Sequence, residues 1–121
     1  MFVKFAELPV FDQDRAIAFY TEKLSLTVAA DVPYGLGDWR WVELALPGAR
    51  THLHFIRRPD EKPSDLPILV LVAEDLEATV ERLRSNGAEI ITEPQTAPWD
   101  RDTLYAEFRD SEGNRIVVNQ E

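Results

Sequence analysis

One order of segments occurs twice along the chain, and this most restricts how it can fold. In each half an extended apolar stretch leads into an amphipathic helix, and three further extended stretches follow. The repeat is about 55 residues long, the mark of an internal duplication. A single β-α-β-β-β copy cannot close on itself, because the helix covers one face of its sheet and leaves the other bare. The expected fold is therefore α+β. Two tandem modules form a curved eight-stranded sheet, with the helices outside and a concave inner face that takes a ligand.

The first copy opens at residues 3–10. Val3, Phe5, Glu7 and Pro9 lie on one side of this strand, and Lys4, Ala6, Leu8 and Val10 on the other. Asp12 caps a helix over 13–24, on which Ala16, Ile17, Phe19, Tyr20 and Leu24 recur at helical spacing. Strands are expected at 27–32, 39–46 and 51–57, with a glycine-containing loop at 34–38 and a turn at 47–50. The second copy places strands at 68–72, 88–92, 103–109 and 115–119. Its helix is capped by Asp75 and closed by Gly87, and a loop is expected at 93–101. Residues 58–67 hold three prolines and form the connection. The chain thus reads as one domain, 1–121, built from a module at 1–57, the connection, and a module at 68–121.

The turn at 47–50 sets a register in which Ala45 faces His52 and Glu43 faces His54. Alternation then places Trp41, Glu43, Ala45, His52, His54 and Ile56 on one face, and Val42, Leu44, Leu46, Leu53 and Phe55 on the other. The apolar set belongs under the helix. A slip of one residue would bury both histidines and Glu43 there, at considerable cost. The mixed set lines the cavity. His52 and His54 project to one side with Glu43 opposite, which suits a metal site, a general base, or a plain hydrogen bond between Glu43 and His54. Trp39, Trp99 and Tyr34, in or beside loops, are candidate ligand walls together with Trp41.

The chain carries 13 Lys and Arg against 22 Asp and Glu, for a net charge of -9. That surface disfavours nucleic acid and anionic membranes as partners. Cysteine is absent, which excludes disulfides, thiolate metal sites and cysteine nucleophiles. No apolar run has the length of a membrane span, and residues 1–10 lack the pattern of a signal peptide, so a cytoplasmic protein is expected.

Residues 12–24 resemble the first helix of the vicinal oxygen chelate superfamily, which groups glyoxalase I, bleomycin-resistance proteins and extradiol dioxygenases. Phe108-Arg-Asp-Ser-Glu-Gly-Asn114 resembles its terminal signature, with Ser111 where proline is usual. The resemblance spans the whole chain and implies the same paired fold. The family's metal enzymes take one ligand from each of four strands, and the matching positions here are Phe5, His54, Ile68 and Val117. Three of the four have no lone pair to give, so no metal and no cofactor are expected. The metal-free bleomycin-resistance branch fits better, and 94–99 resembles its cleft loop. That branch implies a homodimer that sequesters a small aromatic or cationic molecule. The expected ligand-binding residues are Phe5, Glu7, Tyr34, Trp39, Trp41, Glu43, His52, His54 and Trp99. Two other readings stand beside it. One is a lyase or isomerase using His54 with Glu43 as base, or as part of a non-standard metal site. The other is an inactive domain kept as a subunit of a larger assembly.

Overall fold

A computed structural model describes residues 1–121. The chain divides into two compact units, Met1–Glu61 and Lys62–Glu121. The first contains β1 (Phe5–Val10), α1 (Gln13–Leu24), β2 (Thr27–Pro33), β3 (Arg40–Ala45) and β4 (His52–Arg57). The second contains β5 (Leu69–Ala73), α2 (Leu76–Ser85), β6 (Ile90–Ala97), β7 (Asp100–Arg109) and β8 (Arg115–Gln120). The eight strands of the expected α+β fold form two four-stranded sheets, ordered β1-β4-β3-β2 and β5-β8-β7-β6. In each sheet the first strand of the unit pairs parallel with the last, and the other pairings are antiparallel.

In the first unit the Asp12 carboxylate accepts the Arg15 N–H and starts α1. Ser25 ends the helix with a left-handed φ of 61°. Ala16, Phe19 and Tyr20 of α1 are buried, as are Leu8, Val10, Val42, Leu44, Leu53 and Phe55 of the sheet. Each fully buried large apolar side chain contributes about 1.5–3 kcal/mol. Gln13 ties the helix to β3 at two points: its Oε1 accepts the Arg40 N–H at 3.0 Å and its Nε2 donates to the Arg40 carbonyl at 2.7 Å.

In the second unit Leu76, Val80 and Leu83 of α2 are buried with Ala106, Phe108, Ile116 and Val118 of the sheet. The expected loop at 93–101 is instead strand on both sides of a two-residue turn at Pro98 and Trp99. Three register shifts between β6 and β7 accommodate the irregular sequence there. Pro94 lies on an edge strand, where its missing N–H costs no ladder bond. Asp110 organises the last hairpin: Oδ1 accepts the N–H groups of Glu112 and Asn114, both at 2.9 Å, and Oδ2 accepts from the Asn114 side chain. Gly113 completes the turn at φ +79°, and a Cβ there would lie 2.9 Å from the Pro63 ring. No helix is long and apolar enough to cross a membrane.

Candidate functional site

The face of the first sheet opposite its buried residues carries Phe5 and Glu7 from β1, Trp41 and Glu43 from β3, and His52 and His54 from β4. The register is the one expected, with Glu43 opposite His54 and Ala45 opposite His52. The parallel β1–β4 pairing then sets Phe5 beside His52 and Glu7 beside His54.

His54 therefore has a carboxylate on either flank, and it takes Glu7. Its Nδ1 lies 2.7 Å from Glu7 Oε2. The direct Glu43–His54 bond considered from the sequence is not formed. Glu43 turns diagonally, with Oε1 3.0 Å from His52 Nδ1 and Oε2 accepting the Trp41 indole N–H at 2.7 Å. The reason is the position of the indole, whose ring centroid lies 4.1 Å from that of His54 at an interplanar angle of 37°. The hydrogen bonds from Trp41 and His52 hold the Glu43 carboxyl below its ordinary range. Ionised carboxylates only accept, so Nδ1 of each histidine carries a proton. No other partner engages either ring nitrogen, and neither Nε2 is a buried orphan.

The aromatic rings gather on the same face. Phe5 lies 5.8 Å from Trp41 and 5.2 Å from His54, and Tyr34 lies 5.5 Å from Trp41. Seven of the nine expected residues thus meet in one unit: Phe5, Glu7, Tyr34, Trp41, Glu43, His52 and His54. Trp39 lies elsewhere. It faces the Arg57 guanidinium at 5.7 Å, in a shallow cavity of about 270 Å³ at the start of α1 that also includes Asp14, Asp38 and Arg40. Trp99 belongs to the second unit. It is 59% exposed and lies edge-on to Tyr105 at 4.9 Å.

Sequence reasoning missed a polar network on the corresponding strands of the second unit. Arg115 donates to both oxygens of Glu107, at 3.1 and 3.0 Å, and Thr92 donates to Glu107 Oε2 at 2.6 Å. The Arg115 hydrogen bond, foremost, holds the Glu107 carboxyl below its ordinary range against the cost of burial. Nearby on β8, Asn119 Oδ1 is buried without a partner. A glutamate amid Ala106 and Phe108 was the available signal, since a carboxylate in an apolar strand requires a cation.

The model of the glyoxalase/bleomycin resistance protein/dioxygenase superfamily matches residues 3–118. The chain belongs to this superfamily. It is similar to YetH, an uncharacterized protein of Bacillus subtilis (strain 168), at 33% identity over 92% of this chain and 91% of YetH. Among solved structures it is similar to TnmS3, an antibiotic-binding protein from Streptomyces sp. CB03234. The identity is 34% and the TM-score 0.82, covering 99% of this chain and 95% of TnmS3. A glyoxalase/bleomycin resistance protein from Streptomyces sp. CB03234 is also 34% identical, with a TM-score of 0.77, over 98% of this chain and 99% of its own.

The four positions that match the ligands of the superfamily's metal enzymes do not supply a donor set. Phe5 and Val117 are hydrocarbon, and Phe5 packs against Trp41 and His54. Ile68 likewise offers no side-chain donor. The Nδ1 of His54 is committed to Glu7. No group of three or more His, Asp or Glu side chains is arranged to hold a metal.

Proposed function

We propose that this superfamily member binds and sequesters a small aromatic molecule on the polar face of its first sheet, without a metal of its own. The observation that carries this reading is the grouping of Phe5, Tyr34, Trp41 and His54 rings around the carboxylates of Glu7 and Glu43. Stacking on such a wall, with cation–π attraction for a positively charged ligand, contributes about 1–2 kcal/mol per desolvated contact. A cationic substituent is served by Glu7, which is half-exposed and retains one unshared oxygen, whereas Glu43 has both oxygens engaged. The likeness to the antibiotic-binding protein TnmS3 supports the reading. Pairing of two copies would cover strand edges, so a homodimer is part of the proposal.

The test is a titration of tryptophan fluorescence with flat aromatic compounds, metal-free bleomycin-type drugs included. Saturable quenching that Trp41→Ala weakens about tenfold agrees with the reading, which corresponds to about 1.4 kcal/mol. Quenching unaffected by that substitution removes the site assignment. Elemental analysis of protein purified without chelator is expected to show far less than one transition metal per chain. Light scattering is expected to give twice the 13.8 kDa chain mass.

The carboxylate-backed histidines favour a second reading, a lyase or isomerase with an imidazole base. The base pairs are then His54 with Glu7 and His52 with Glu43, not His54 with Glu43. Proton exchange from a carbon acid, lost in His54→Gln, would distinguish catalysis from sequestration.

A further inference from the structure

We propose that this face selects an aromatic ligand bearing a neutral phenolic hydroxyl, whose O–H is accepted by the Nε2 lone pair of His54 or His52. The inference rests on the reading of this face as the ligand site and names the ligand's chemistry. Both histidines present Nδ1 to a carboxylate, at 2.7 Å for Glu7 and 3.0 Å for Glu43. The Nδ1 protons are thereby committed, and a neutral ring offers only an acceptor at Nε2. Residues two apart on a strand project to the same side, about 7 Å apart along it. The face therefore holds two acceptors of one kind beside an indole plane.

Alternative polar groups of a ligand are less well matched. The indole N–H, a donor that could have greeted a carbonyl or anion, is spent on Glu43. Glu7 and Glu43 oppose an anionic ligand, so a phenolate or carboxylate is disfavoured while a neutral O–H is not. Hydrogen bonds are strengthened where one partner is backed by charge, and both imidazoles are polarised by their carboxylates. His54 also lies against Trp41, so the imidazole that carries this acceptor is itself part of the aromatic wall.

Naphthol, methoxynaphthalene and naphthylamine, titrated calorimetrically into the intact protein at neutral pH, separate the possibilities. Naphthol is expected to bind about tenfold more tightly than its methyl ether, the size of a hydrogen bond between neutral partners. In His54→Phe, which keeps an aromatic ring, or in His52→Phe, that ratio is expected to fall towards one. Glu7→Gln tests the positioning of His54 by a conservative change at a half-exposed residue. Its amide can donate to Nδ1 and turn Nε2 into a donor, so the ratio falls there as well if His54 is the acceptor. Equal binding of naphthol and its ether overturns the hydroxyl inference and leaves the aromatic site standing. Naphthylamine bound as tightly as naphthol also overturns it, as does a ratio preserved in both histidine variants. Failure of all three probes to bind removes the ligand-site reading itself.

Discussion

The Glu7 carboxylate accepts a hydrogen bond from His54 Nδ1 at 2.7 Å across the parallel strand pair of the first sheet. This contact decides the tautomer of the imidazole. Heteronuclear NMR of the ring nitrogens is expected to show neutral His54 protonated at Nδ1, against the usual preference for Nε2. Glu7→Ala is expected to shift the population towards Nε2–H. Since Glu7 is half-exposed, the loss of stability stays below about 1 kcal/mol. An unchanged tautomer in Glu7→Ala would contradict the pairing.

Trp41 is the hub of its face, touching Phe5, Tyr34 and His54 with its ring and Glu43 with its N–H. Trp41→Ala is expected to cost about 2–3 kcal/mol in chemical denaturation, through lost ring contacts and an unpaired carboxylate oxygen. Trp41→Phe, which keeps most of the ring but not the N–H, is expected to cost about 1 kcal/mol. A larger loss in the phenylalanine variant would mean that the hydrogen bond, not the packing, dominates.

Glu107 links acidity to stability. Its carboxyl is held below the ordinary 4.5 in the folded state, first by Arg115. A depressed folded pKa contributes stability that is present above 4.5 and is lost as pH falls through the folded value. The protein is therefore expected to lose stability progressively below 4.5, with Glu43 adding in the same direction. Glu107→Gln is expected to lower stability at neutral pH by about 2 kcal/mol and to flatten the acid limb. Parallel acid limbs in the variant and the parent would remove Glu107 as the cause.

Gly113 is required by its turn and by its neighbour. At φ +79° any side chain is strained, and a Cβ would lie 2.9 Å from the Pro63 ring. Gly113→Ala is expected to destabilise by about 1–3 kcal/mol. The double variant with Pro63→Ala should recover the part due to the clash and none of the part due to φ. Full recovery would mean that backbone strain plays no role.

Much of this molecule is legible in local chemistry. The alternation of Val42, Leu44, Leu53 and Phe55 with Trp41, Glu43, His52 and His54 sorts the two faces of the first sheet, because a strand's side chains change side at every residue. Asp12 and Asp75 mark the helix starts because their short carboxylates reach N–H groups that have no partner within the helix. The absence of donors at Phe5, Ile68 and Val117 is a property of residue type alone. What the strand order adds could not be had from spacing. The parallel pairing of β1 with β4 sets Glu7 against His54, two residues 47 positions apart. Ring packing then sends Glu43 to His52, because Trp41 occupies the space over His54. Likewise 93–101 looks like a loop when read locally, with its prolines and polar residues, yet most of it pairs as β6 and β7 once bulges absorb the irregular register. Local sequence determines which groups reach a face, since that depends on backbone periodicity. Which of two flanking carboxylates an imidazole takes depends on the side chains packed around it, and only the tertiary structure supplies those.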